Sequence, residues 1–313
     1  MKHLISLLDY SAEEIEQILA IAAALKAKLK SGKRPALLKR RVLVQIFEKP
    51  SLRTRISFEA AMMQLGGSSV FLVAKDAGLN GRESLADVAR VLSGYADVVA
   101  MRTFSQQLIG DFAGYARCPV INALSDELHP CQALADIFTM REVLGKTDGK
   151  RIVYVGDGNN VAASLAIISG HLGIGITVCT PKGYELKPAF VKDLKQRFPK
   201  LKLSSSHDPK KAVADADVIY TDVWASMGQE GEADERKQVF GPFQVNRQLM
   251  ELAPAGCKFM HCLPAKRGGE VTDEVIDGPN SIAFPQAENR MHLAKGLLAW
   301  LLRGPQILEK LKD

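Results

Sequence analysis

Apolar residues recur along this chain in two rhythms. From Ser11 onward, Ile15, Ile18, Leu19, Ala22, Leu25 and Leu29 follow the three- and four-residue spacing of an amphipathic helix. Ser11 with Glu14 three residues later adds a capping-box start. Beyond it the rhythm shortens. β-rich runs at 41–47 (RVLVQIF), 68–73 (SSVFLV), 97–101 (DVVAM) and 119–124 (PVINAL) alternate with helical stretches, and a long helical pattern covers about 130–144. A second set lies at 151–156, 175–180, 200–205, 217–222, 258–263 and 281–284 (SIAF). Strands alternating with helices predict an α/β fold of parallel sheets flanked by helices. Two such sets predict two domains joined by the 130–144 helix. One covers 1–145 and is completed by a C-terminal helix at 286–313. The other covers 146–285, and the turn GKTDGK at 145–150 marks the boundary.

In open α/β sheets, ligands collect at the carboxyl ends of the strands. Residues able to do chemistry stand there. Ser51–Arg55 follow the first strand, Arg102 the third, and His129–Gln132 come soon after the fourth. Asn159 and Asn160 follow the fifth, Asp222–Met227 the eighth, and Cys262–Leu263 the ninth. The stretch FEKPSLRTRISFE (47–59) passes from strand through a turn into a helix. Such a helix start offers free amides and a positive dipole end. With the hydroxyls of Ser51 and Thr54 and the Arg53 guanidinium, it makes a site for an anion such as phosphate. The competing reading is a capped helix with two surface arginines. Arg53 and Arg55 cannot face the same way on a helix, so one is expected to serve a ligand and the other the structure.

Other signals are weaker. Arg102 is either a salt bridge at a sheet end or a ligand contact. His129 precedes a proline at a helix entrance, with Gln132 in the first turn, and a lone histidine is commonly structural. Cys131 reads as a small core residue. In DVWASMGQE (222–230), Trp224 and Met227 are expected to become buried on ligand binding. GDGNNV at 156–161 begins like a dinucleotide fingerprint, but Val161 stands where the third glycine is required. GKT at 145–147 lacks the upstream glycine of a phosphate loop, since Met140 holds that place.

Composition narrows the classes further. Of 313 residues, 47% are apolar and 24% charged, which is ordinary globular composition. The net charge of +6 is spread out, with one small basic cluster at 31–41. No nucleic-acid-binding motif accompanies it, so nucleic acid is not an expected partner. The five cysteines lack CxxC spacing, which argues against a disulfide framework or a structural zinc site. No residue spacing suggests a metal. Neither a secretory signal nor an apolar run long enough for a membrane span is visible, so a cytoplasmic location is expected.

Taken in order, FEKPSLRTR, MRT, HPCQ, GDGNN, DVWASMG, HCLP and AENR resemble the transcarbamylases, and among them the branch that uses ornithine. The resemblance runs along essentially the whole chain. It implies transfer of the carbamoyl group of carbamoyl phosphate to the δ-amino group of L-ornithine, giving L-citrulline and phosphate, as in arginine biosynthesis. It implies a carbamoyl phosphate site at Ser51, Leu52, Arg53, Thr54, Arg102, His129, Gln132, Cys262, Leu263 and Arg290. It implies an ornithine site at Asn160, Asp222, Ser226 and Met227, with Arg102, His129, Asp222 and Cys262 catalytic. It further implies two interdomain helices and a homotrimer with active sites between subunits. The reaction needs no metal or redox cofactor. Leu52 stands where the family often has threonine. Gly78, in the 76–84 loop expected to reach a neighbouring subunit, stands where it often has glutamine, and Asn80, Arg82 or Ser84 is left to substitute. Rival readings are a transcarbamylase for N-acylated ornithine, putrescine or aspartate, a non-catalytic phosphate-binding protein on the same fold, and a dehydrogenase.

Overall fold

The computed structural model describes residues 1–79, 81–225 and 228–311. Among these residues the chain divides into two compact units, Met1–Phe138 with Glu288–Asp313, and Thr139–Ala287. The first unit runs α1 (Ala12–Lys30), β1 (Val42–Phe47), α2 (Leu52–Gln64), β2 (Ser68–Val73), α3 (Leu85–Tyr95), β3 (Val98–Arg102), α4 (Gln106–Tyr115), β4 (Val120–Leu124) and the start of α5 (Pro130–Leu144). The second runs β5 (Arg151–Val155), α6 (Asn160–Leu172), β6 (Gly175–Cys179), α7 (Pro188–Arg197), β7 (Leu203–Ser206), α8 (Pro209–Ala212) and β8 (Val218–Thr221). It continues through α9 (Ala233–Phe240), α10 (Arg247–Glu251), β9 (Lys258–His261), α11 (Asp273–Ile276) and the start of α12 (Ala283–Arg303). Both α5 and α12 carry the chain from one unit into the other.

Each unit holds one parallel sheet, of order β2-β1-β3-β4 in the first and β7-β6-β5-β8-β9 in the second. In both, the chain winds one way and then returns to the other side of its first strand. A crevice therefore opens at the carboxyl ends of two adjacent strands whose connections leave in opposite directions. In the first unit these strands are β1 and β3, with Phe47 paired to Arg102. In the second they are β5 and β8, with Val155 paired to Thr221. The central strands are buried nearly throughout, as expected of a parallel sheet covered on both faces.

Local chemistry explains the boundaries. The capping box at Ser11 forms, with Glu14 N–H on Ser11 Oγ at 3.1 Å and Ser11 N–H on Glu14 Oε2 at 2.8 Å. The side chains of Ser51, Ser84, Ser105 and Asn159 accept first-turn amides and so cap α2, α3, α4 and α6. One expectation fails. SIAF at 281–284 is not a strand: Ser281 makes a single bridge to Phe259, and α12 begins at Ala283. Pro285 falls in the first turn of that helix, where its missing N–H costs nothing, so the short apolar run was misread. Arg102 is the last residue of β3 rather than the residue after it. None of the described helices is long and apolar enough to cross a membrane.

Candidate active site

In the first unit, the turn after β1 feeds directly into α2. Ser51 Oγ accepts the Thr54 N–H at 3.2 Å, which fixes the first turn of the helix and points its amides out of the sheet end. The two arginines separate as their spacing requires. Arg55 is exposed, pairs with Glu59 at 2.9 Å and lies 3.8 Å over the Phe71 ring, so it serves the structure. Arg53 is half-buried and Leu52 points to solvent. Thr54 is buried, and its hydroxyl receives Arg290 Nη2 at 3.4 Å. The other arm of Arg290 donates to Gln132 Oε1, and Gln132 Nε2 donates to the buried Asp136 at 2.7 Å. Thus α2, α5 and α12 bring Thr54, Gln132 and Arg290 together from segments far apart in sequence.

Arg102 and His129 are both buried beside them. Burial first, then the guanidiniums of Arg290 and Arg102, holds the His129 imidazole well below the usual histidine range. His129 is therefore a neutral hydrogen-bonding group in a positive field. Neighbouring loops are braced. Lys49, 5% exposed, pairs with Asp126 and lies 4.2 Å over Phe104, while Glu48 accepts the Phe104 N–H at 2.7 Å. This ties the 48–51 turn to the segment leading into His129. Cys131 is a core residue, with Sγ donating to Asn122 O at 3.5 Å and a thiol that burial pushes up to about 12.

In the second unit, Asp222 stands at the end of β8 and is buried. Its Oδ1 accepts the Val223 N–H at 2.8 Å and the Cys262 thiol at 3.0 Å. Its Oδ2 accepts Asn159 Nδ2 at 2.8 Å. Asn159 in turn caps α6 through Oδ1, which also receives the Tyr154 hydroxyl at 3.0 Å. The sequence singled out Asn160, the first residue of α6, but missed that its neighbour orients the acid. A capping asparagine and a bridging one look alike in sequence. Burial, followed by the negative charge of Asp222, raises the Tyr154 phenol well above its usual range, so it stays a donor.

The glycine pattern at 156–160 is also explained. A Cβ on Gly158 would lie 2.6 Å from the backbone of Tyr184, Glu185 and Leu186, and the Gly158 N–H donates to Tyr184 O at 2.8 Å. The close approach is made by the chain's own backbone, so this glycine has a reason without a dinucleotide. The loop after Asp222 is anchored by Arg236, which reaches Asp157 and the Trp224 carbonyl, both at 2.8 Å, and Glu232 at 2.8 Å. Trp224 is buried, stacked on Phe240 at 6.1 Å. Ser226 and Met227 lie outside the described residues.

The strand-end pair His261–Cys262 was legible only in part. Asp222, His261 and Cys262 bring donor atoms within 4.8 Å of one another, which residue spacing did not reveal. Both ring nitrogens of His261 are engaged, however. Nδ1 accepts the Leu263 N–H at 2.8 Å, and Nε2 faces Glu270 at 3.2 Å. The arrangement is therefore not a ready-made metal site. In the 76–84 loop, Ser84 is spent capping α3, Arg82 is exposed and pairs with Glu83, and Asn80 lies outside the described residues.

Two family models cover nearly the whole chain. The carbamoyl-P binding domain of aspartate/ornithine carbamoyltransferase matches residues 2–142, and the Asp/Orn binding domain matches 148–301. The chain belongs to the aspartate/ornithine carbamoyltransferase family. Within it, the chain is 50% identical over 303 residues to an ornithine carbamoyltransferase of Anoxybacillus flavithermus, with 96% of each chain covered. It is 52% identical over 305 residues to an anabolic ornithine carbamoyltransferase of Pyrococcus furiosus, with 97% of each covered. A solved ornithine carbamoyltransferase from Pyrococcus furiosus superposes with a TM-score of 0.94 at 52% identity, covering 97% of both chains. One from Thermus thermophilus gives 0.87 at 40% identity, covering 97% of this chain and 99% of the other.

Proposed function

We propose that this carbamoyltransferase moves the carbamoyl group of carbamoyl phosphate to the δ-amino group of L-ornithine, releasing L-citrulline and phosphate. The observation that carries the choice of acceptor is Asp222, a buried acid at the crevice of the second sheet, held by Asn159 and Cys262. An acid there selects an acceptor with an α-ammonium group. Aspartate would need a cation for its second carboxylate, and the nearby Arg236 is already engaged by Asp157 and Glu232. An N-acylated ornithine lacks the ammonium, and putrescine lacks the carboxylate that Asn160 and the 226–227 segment are proposed to hold. The anabolic designation of the Pyrococcus furiosus relative supports citrulline synthesis for arginine as the direction.

In this reading the amides that open α2, the Ser51 hydroxyl, the Leu52 backbone and the Arg53 guanidinium hold the phosphate. Arg102, His129 and the Thr54 hydroxyl face the carbonyl oxygen and stabilise the oxyanion that forms as the amine attacks. A neutral His129 suits this role, because it donates a hydrogen bond without giving up its proton. Gln132, oriented by Arg290 and Asp136, receives the carbamoyl nitrogen. The attacking amine must be uncharged, and Cys262 with Asp222 holds it and accepts its proton, while the Leu263 backbone lines the carbamoyl group. Phosphate then leaves with the electrons of the broken C–O bond.

We further propose a homotrimer with active sites completed between subunits. An open cavity of about 750 Å³ borders the 47–52 turn and is lined by Leu52, Ile56, Phe71, Val73 and Phe104 among others. Leu52 is 72% exposed and Ile56 52%, so the rim of an anion site is apolar, as a surface covered by a second chain would be. Light scattering should return three times the 34.1 kDa chain mass. The functional test is a panel of amines with carbamoyl phosphate. Citrulline from ornithine alone supports the proposal, whereas no product with any amine would leave a binding protein.

A further inference from the structure

The loop after β9 is shaped by two fully buried side chains to which the proposed chemistry gives no role. His261 is 0% exposed and Glu270 1%. Because the Leu263 N–H donates to Nδ1, the ring carries its proton on Nε2, where it meets Glu270 Oε1 at 3.2 Å. The same carboxylate oxygen accepts the Lys266 N–H at 2.6 Å. On the other side, the His261 N–H donates to Gln286 Oε1 at 2.9 Å, and Gln286 donates to the Tyr220 hydroxyl at 3.0 Å. Leu263 stands at φ +58°, a conformation that branched side chains enter rarely and keep only when their surroundings enforce it.

Cys262 therefore lies between two pinned points, the His261 amide before it and the Leu263 amide after it. The direction of its thiol, 3.0 Å from Asp222 Oδ1, follows from that backbone. We propose that His261 and Glu270 are positioning residues: they lock the backbone at 262–263 so that the thiol meets Asp222, and His261 is not the base that deprotonates Cys262. Serving as that base would require a ring nitrogen turned to the sulfur, and both nitrogens are committed elsewhere. The kinetic half of the test rests on the ornithine reading, and the chemical half does not.

Two substitutions separate the roles. In His261→Asn the amide oxygen takes the place of Nδ1 and still accepts the Leu263 N–H. In His261→Gln the amide reaches toward the place of Nε2 and leaves that N–H without its acceptor. His261→Gln should lower kcat/KM for ornithine by about 10²-fold, since small misplacements of reacting groups cost on that order. KM for carbamoyl phosphate should hold, and His261→Asn should recover most of the loss. Alkylation of Cys262 by iodoacetamide, followed against pH, reports the thiol's surroundings directly, because the other four cysteines are buried. Its profile should shift in His261→Gln and stay near wild type in His261→Asn. Wild-type kinetics and alkylation in His261→Gln would overturn the proposal, as would equal damage in both variants. If His261→Gln does not fold, His261→Asn decides alone: a base predicts its inactivity, a backbone acceptor its function. Should the wild-type chain make no citrulline, the acceptor reading fails, while the alkylation comparison still judges the loop.

Discussion

The crevices of the two sheets share a topology and differ in charge. At the end of β1 and β3, guanidiniums and helix amides gather around a histidine that burial, and then the surrounding positive charge, keep neutral. At the end of β5 and β8, one carboxylate has both oxygens engaged by N–H and S–H donors. The winding of an open sheet fixes where a ligand goes, and the residues placed there fix which ligand it is. In the proposed reading, the first crevice concentrates positive charge for an anion, and the second uses a single acid held in one orientation to choose among amines.

If that division is right, damage in the first unit should lower turnover with every acceptor, and damage in the second should change which acceptor is used. The largest effect is expected from Arg53→Ala. Turnover should fall by about 10³-fold, the upper range for loss of one charge-stabilising donor, with the circular dichroism spectrum unchanged. Near-normal turnover would remove Arg53 from the phosphate site. Next, Asp222→Asn should lower kcat/KM for ornithine by about 10²-fold, as loss of a buried charge partner does, and leave KM for carbamoyl phosphate close to wild type. Equal changes for both substrates would blur the division.

Asn159→Ala should act more mildly on the same side. It removes the donor to Asp222 Oδ2 and the cap of α6 together. A stability loss of about 1 kcal/mol in urea denaturation is expected from the cap, with a several-fold rise in ornithine KM. The smallest effect concerns pH. His129 is held well below 6.5, and His292 is lowered to about 4 by burial and then by Lys295. The unfolded chain binds those protons near 6.5 and the folded chain does not. Stability is therefore full above about pH 6.5 and declines as pH falls toward about 4. The urea midpoint should drop between pH 7 and 5, and less steeply in His292→Gln. A flat profile would contradict the buried, neutral assignment.

Much of this was legible in the sequence because periodicity and strand-end chemistry are local. FEKPSLRTR announced a helix start rich in donors, and the spacing of Arg53 and Arg55 foretold that the two would face different surroundings. Strand order was not legible, since nothing local says that β3 returns beside β1 or β8 beside β5, and that return makes the crevices. Asn159 was marked at its strand end, but its hold on Asp222 was not legible, because that bond crosses 63 residues. His261 and Glu270 were invisible as a pair, since a buried histidine and a glutamate in a glycine-rich loop carry no period. SIAF shows the opposite failure, where apolar content imitated a strand and Pro285 in fact opens a helix.

The most direct test of the charge division is the structure of crystals soaked with phosphonoacetamide, a stable mimic of carbamoyl phosphate. The phosphonate should lie against the amides that open α2 and the Arg53 guanidinium, with the amide oxygen turned to Arg102 and His129. A phosphonate bound at the Asp222 crevice, or anywhere away from residues 51–54, would contradict it.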